Sequence, residues 1–164
     1  METPKHLPVM LSPALGPAVV IGGGAVALRK VQGLVEAGFE VTVIAPEIDS
    51  AFQGLAGVRQ TLEPFRPGHL HGAALVFACT DRREVNAEVG RLACEAGIPV
   101  LVVDAAGEST FTSPAVARKG GMILAVGTGG SDPGRARDVR DQLADAFASA
   151  TAACPSRREG GCDA

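Results

Sequence analysis

The stretch Val19–Lys30, Val-Val-Ile-Gly-Gly-Gly-Ala-Val-Ala-Leu-Arg-Lys, constrains the fold more than any other part of the chain. β-Branched residues run into three glycines, which pass without a spacer into helix-favouring residues. Gly22-x-Gly24-x-x-Ala27 has the spacing of a dinucleotide-binding turn in its alanine-ended form. Gly22 permits the tight turn off the strand. Gly24, lacking a Cβ, lets a pyrophosphate approach the backbone, and Ala27 lets the helix lie close to the sheet. The phosphates would then rest at the helix N-terminus, where unpaired N–H groups and the dipole favour negative charge. The plainer alternative is a glycine turn with no ligand; the strand before and the helix after favour the nucleotide.

The rest of the chain repeats the alternation. A short apolar run, Leu7–Leu11, reads as an edge strand or lead-in, and Ala18–Gly22 as the first main strand. A helix over Ala25–Ala37 ends at Gly38, and Glu40–Ala45 is a second strand stopped by Pro46. A weak helix over Ile48–Leu55 leads to a third strand, Val58–Leu62. Ala73–Cys79 is a continuous apolar run, as a strand buried on both faces should be. Asp81 is placed to cap a helix over Arg83–Ala96, and Pro99–Val103 is a fifth strand ending on Asp104. Strands alternating with helices imply a parallel sheet with right-handed crossovers.

Beyond that point the rhythm changes. Thr110–Ala117 and Met122–Val126 are joined by too few residues for a crossover helix and read as an antiparallel hairpin. A second glycine loop, Gly127–Pro133, precedes an amphipathic helix carrying Val139, Leu143 and Phe147 on one face. The predicted architecture is α/β: a Rossmann-like parallel sheet over residues 1–108, then a hairpin and a short C-terminal helical segment over 109–152. Residues 153–164 are read as a disordered tail.

Composition narrows the partners. A net charge of −3 gives no general reason to expect nucleic acid, and no apolar run nears the roughly 20 residues a membrane span needs. The N-terminus lacks the apolar centre of a secretory signal, so a cytoplasmic location is expected. Cys79 and Cys94 read as small buried hydrophobes, and Cys154 and Cys162 as free thiols in a polar tail. His69 and His71 have no Cys or third His nearby in sequence and read as loop residues, so no metal site is predicted.

Ligands of open parallel sheets bind at the carboxyl ends of the strands, where the strand order reverses. Three segments should meet there: Gly22–Val26, Thr80-Asp81 and Asp104. A carboxylate directly after Val100-Leu101-Val102-Val103 is hard to explain as core. It is either a turn residue or a group that takes or holds a proton while a hydride leaves for the cofactor.

Gly22–Lys30 resembles the glycine-turn signature of the precorrin-2 dehydrogenases, the first module of siroheme synthases. The resemblance continues in order through Val41–Pro46, Ala78–Asp81 with Val85-Asn86, Val102–Asp104, Phe111–Ala115 and Gly129–Pro133. It implies NAD-dependent oxidation of precorrin-2 to sirohydrochlorin, with iron insertion as a second activity in some members. By position it assigns Gly22, Gly23, Gly24, Ala25, Val26, Ala45, Pro46, Glu47, Thr80 and Asp81 to NAD and Asp104 to catalysis. It places Thr128 near the substrate and implies a homodimer built through the hairpin and last helix. A tetrapyrrole polycarboxylate needs cations, and Arg118 and Arg135 are candidates, with Lys119, Arg137 and Arg140 close by in sequence. The same charges also suit a solvated face.

Three departures stand out. Ala45 occupies the place of the ribose-binding acid found about 20 residues past the glycines. Glu47 or Asp49 is left to reach the ribose, so NAD rather than NADP rests on the resemblance. Gly127 and Asp132 stand where the family usually has serines, and a single helix and a tail replace its usual helical domain. A more open pocket, or one completed by another subunit, is expected. The rival readings are a dehydrogenase that also chelates iron and a non-catalytic NAD-sensing domain.

Overall fold

The structure, a computed structural model, describes residues 6–153. The chain divides into two compact units, Leu7–Thr112 and the residues from Ser113 onward. The first contains β1 (Ala18–Ile21), α1 (Ala25–Glu36), β2 (Val41–Ile44), β3 (Val58–Thr61), β4 (Leu75–Ala78), α2 (Arg83–Glu95) and β5 (Val100–Val102). Its five strands are all parallel, in the order β3-β2-β1-β4-β5. The order therefore reverses between β1 and β4. Ile21 lies opposite both Ile44 and Ala78, so the carboxyl ends of the central strands share one edge.

Every residue of β1 and β4 is buried, as their unbroken apolar runs require. The edge strand β3 instead exposes Arg59 and Gln60, polar side chains that discourage pairing with another edge. Packing is two-sided. On one face α1 lays Ala27, Val31 and Leu34 over Val20, Val43 and Phe77; on the other, α2 lays Val89 and Ala93 over Val76 and Val102. Phe77 meets Phe111 edge-on at 5.4 Å between ring centroids. Gly38, at φ +88°, closes α1 as expected: its N–H donates to the carbonyl of Val35, and Phe39 N–H to that of Leu34. Gly97 closes α2 with the same pair of bonds.

Several local expectations need correction. Of the two readings of Leu7–Leu11, the edge strand is not formed and the exposed lead-in is. The helix expected over Ile48–Leu55 is a single 3-10 turn, Ser50–Phe52, which Asp49 caps and the buried Phe52 anchors. Asp81 does not cap α2; Arg82 holds that position without a side-chain bond. Cys94 is exposed rather than buried. The hairpin starts at Ala115, not Thr110. Thr110 is committed to β5: its N–H donates to the Val100 carbonyl and its hydroxyl accepts from Val100 N–H, both at 2.8 Å. The helix at the end of the chain includes Ala153, the first residue of the expected tail, and Cys154, Cys162 and the rest of that tail lie outside the described residues.

The second unit is the antiparallel hairpin β6 (Ala115–Lys119) and β7 (Met122–Val126), with α3 (Pro133–Ala153) packed on it. Lys119 pairs with Met122 around a two-residue Gly120-Gly121 turn. Asp132 caps α3 through Arg135 N–H at 2.9 Å, and Pro133 opens the helix, a favoured sequence at a helix start.

Candidate functional site

The carboxyl edge of the first unit's sheet holds a cleft of about 780 Å³ at the point where the strand order reverses. Its floor is the glycine turn with the first residues of α1, Gly22 to Val26. One wall is the segment after β2, with Ala45, Pro46 and Glu47; the other is Thr80 and Asp81 after β4. All ten residues proposed from sequence to hold the cofactor line this one cleft.

The three glycines serve three different needs. At Gly22, φ is +128° and a Cβ would stand 2.4 Å from the carbonyl oxygen of Cys79. At Gly23 a Cβ would fall 2.2 Å from the carbonyl oxygen of Glu47, while the Gly23 carbonyl accepts from Asp49 N–H at 2.9 Å. The β2 loop is thus stapled onto the glycine turn. At Gly24 a Cβ would meet no atom within 4 Å. The protein's own packing has no use for a glycine there, and the position lines the cleft. Gly24 is also the N-cap of α1 and offers no side-chain bond, so the first N–H groups of a twelve-residue helix stay available to an anion. These features fit a dinucleotide pyrophosphate.

The Thr80 wall is held from below by Asn86, the one polar side chain fully buried among the described residues. Asn86 Oδ1 accepts from Thr80 N–H at 3.0 Å, and its Nδ2 donates to the Thr80 carbonyl at 3.0 Å. The Thr80 hydroxyl lies 2.7 Å from Oδ1 and 3.0 Å from the Arg82 carbonyl, either of which takes its single proton. Asn86 was visible in sequence only as part of a motif. Its role depends on where the first turn of α2 passes beneath the loop. Phe65, Pro64 and Val85 also line the cleft, and nothing in their local sequence marks them out.

Asp104 stands two residues past the end of β5, on the same sheet edge as the glycine turn, directly after the cleft-lining Val103. Its Oδ1 receives Arg83 Nη1 at 3.1 Å, and the same guanidinium binds Glu108. Asp104 is not itself part of the cleft lining. Its charge nevertheless reaches the cleft at Cys79. Burial pushes the Cys79 thiol up to about 12; the ammonium of Lys30 opposes that rise and the Asp104 carboxylate adds to it. Burial also lowers the pKa of Lys30, against the pull of Cys79. A neutral, buried Cys79 is a packing residue and not a nucleophile.

The remaining residues proposed for substrate belong to the second unit. Thr128 accepts from Asp132 N–H through its hydroxyl at 3.0 Å and from Ser131 through its carbonyl, which folds the glycine loop. Arg118 on β6 and Arg135 on the first turn of α3 are exposed. His69 is engaged structurally, with Nε2 2.9 Å from Glu63 and Nδ1 accepting from Arg66 N–H. Among the described residues no group of His, Cys, Asp and Glu is arranged to hold a metal ion, and no helix is long and apolar enough to cross a membrane.

Residues 9–115 match the family described as "Putative NAD(P)-binding". The chain belongs to that family. The matched span contains the glycine turn, both cleft walls and Asp104. Among curated proteins, the chain is 39% identical to a siroheme synthase of Nitrosomonas eutropha, covering 84% of this chain and 30% of that protein. It is 40% identical to a siroheme synthase of Methylobacillus flagellatus, covering 87% and 31%. The chain thus spans just under a third of the length of these relatives. A solved structure titled "SirC, precorrin-2 dehydrogenase" superimposes with a TM-score of 0.71 over 90% of this chain and 74% of that one, at 22% identity, a likeness of fold.

Proposed function

We propose that the chain is an NAD-dependent precorrin-2 dehydrogenase of siroheme biosynthesis, oxidising precorrin-2 to sirohydrochlorin. The observation that carries this reading is the cleft at the strand-order reversal, where an uncapped helix N-terminus coincides with an otherwise unexplained Gly24, and where Asp104 follows directly on the cleft-lining Val103. The relatives named siroheme synthase and the fold shared with a precorrin-2 dehydrogenase support the choice of substrate.

When bound, NAD supplies the hydride acceptor. The chain's own residues do the rest. The N–H groups at the start of α1 hold the pyrophosphate, and Asn86 keeps the Thr80-Asp81 wall in place. The Asp104 carboxylate takes the proton that precorrin-2 loses alongside the hydride. Arg83, 3.1 Å away, keeps that carboxylate oriented between turnovers. Arg118 and Arg135 are the cations for substrate carboxylates, and Thr128 folds the glycine loop that leads into α3. Exposed Met122, Ile123 and Leu143 on the hairpin and α3 support a homodimer formed through the second unit. A cytoplasmic location accords with the free thiols Cys79 and Cys94.

The test is direct: precorrin-2 and NAD are mixed with the protein and NADH is followed by absorbance. Stoichiometric NADH with sirohydrochlorin is expected. Folded protein that binds NADH but gives no turnover would refute the dehydrogenase and leave a nucleotide-binding domain.

A further inference from the structure

In dinucleotide-binding sheets the adenosine ribose is held at the end of the second strand by an acid that accepts from its 2′-hydroxyl, and NADP places a phosphate at that point. Here Ala45 fills the usual position of the acid and is itself buried. Any carboxylate must therefore come from the loop beyond it, where Glu47 and Asp49 both line the cleft.

The structure separates the two. Asp49 Oδ1 accepts from Ala51 N–H at 2.8 Å, which commits it to the 3-10 turn at Ser50. Glu47 is fixed at its backbone, because its carbonyl oxygen packs where a Cβ on Gly23 would be. Its side chain is exposed on the cleft wall and takes no hydrogen bond or ion pair among the described residues. The same glycine turn that seats the pyrophosphate therefore sets the origin of this side chain. The charged residues lining the cleft are Glu47, Asp49, Asp81 and Arg82. Arg82 immediately precedes α2, beyond β4, so no cation among the cleft-lining residues lies on the β2 side to receive a 2′-phosphate.

We infer that Glu47 selects NAD over NADP: its carboxylate accepts from the ribose hydroxyl and repels a phosphate in that place. The inference rests on the dinucleotide reading of the cleft and assigns its specificity to one side chain.

The test titrates NADH and NADPH into the whole chain and into E47Q and D49N, following fluorescence of the bound nicotinamide, with circular dichroism to verify folding. The wild type should prefer NADH. E47Q should lower the NADH-to-NADPH affinity ratio by about tenfold or more, the scale of one hydrogen bond to a charged group. D49N should hold the ratio within about twofold, since Asn caps a turn as well as Asp. E47R should favour NADPH, by giving the phosphate a cation. An unchanged ratio in E47Q, or an equal shift in D49N, would overturn the assignment while leaving the cofactor site intact. A folded wild type that binds neither dinucleotide would overturn the cofactor reading itself.

Discussion

Gly23 and Gly24 are adjacent, identical in sequence and opposite in structural need, so substituting each by alanine separates folding from binding. A Cβ at Gly23 would sit 2.2 Å from the Glu47 carbonyl oxygen and 2.8 Å from Ile48 Cα, both backbone atoms. The β2 loop must move by an ångström or so, which strains the Asp49 N–H bond to Gly23 O. Overpacking of this kind costs about 1–3 kcal/mol and a lost backbone bond about 1 more, so Gly23→Ala should destabilise the first unit by about 2–4 kcal/mol. In a domain of this size that is a fall in Tm of about 5–15 °C. At Gly24 the added methyl meets nothing within 4 Å, and φ −94° with ψ −173° is open to alanine. Alanine is a poorer N-cap than glycine but restricts the unfolded chain, two effects of about 1 kcal/mol or less that oppose each other. Gly24→Ala should therefore melt within a few degrees of wild type. It should still lose NADH affinity, because the methyl occupies the space where a phosphate must come against the backbone. Calorimetry and NADH fluorescence on the same samples decide the matter. A Gly24→Ala protein that binds NADH normally would refute the placement of the pyrophosphate; one that unfolds would refute the claim that packing leaves this position free.

Three further outcomes follow from the same geometry. Asn86→Leu keeps much of the buried volume but removes three contacts to Thr80, so it should cost about 3 kcal/mol and weaken NADH binding in a titration; unchanged stability and affinity would mean the Thr80 turn is held by other means. Asp104→Asn should abolish most NADH formation from precorrin-2 while NADH binding stays near wild type, and full turnover in that variant would remove Asp104 from the chemistry. Because the folded Cys79 thiol titrates near 12 against 9.0 for an ordinary thiol, its contribution to stability is complete below pH 9 and is lost as pH rises toward 12. Iodoacetamide at pH 8 should accordingly label the exposed Cys94 and spare Cys79, as peptide mass spectrometry would show.

What could be read from sequence and what could not divide along the range of the forces involved. Strands β1 and β4 announce themselves as apolar runs, because burial on both faces is a property of each residue in turn. The ends of α1 and α2 are equally local, since Gly38 and Gly97 each close a helix with bonds to residues within one turn. Thr110 has strand-like chemistry and so reads as the hairpin's start, yet its N–H and hydroxyl are both spent on β5, ten residues earlier. The Ile48–Leu55 stretch is at best a weak helix former, with Asp49, Ser50 and Gly54 in eight residues, and the staple between Gly23 and Asp49 leaves one turn before Phe52 enters the core. Asp81 reads as a cap because nothing in its immediate sequence reveals that Asn86 holds the adjacent loop.

The site follows the same division, and that gives the glycine turn more than one task. Its spacing predicts a phosphate seat, and the structure adds a second consequence. Gly23 lacks a side chain so that the loop after β2 can close down on the turn, bringing Glu47 to the cleft wall without a ribose-binding acid at Ala45. One three-residue segment thereby sets the floor of the cleft and the position of the side chain that discriminates between dinucleotides. Any side chain at Gly23 would push this loop off the turn, since the loop and the turn share that contact. Substituting Gly23 should therefore blunt the preference for NADH over NADPH even in molecules that remain folded, a coupling that an acid at the end of β2 itself would not show.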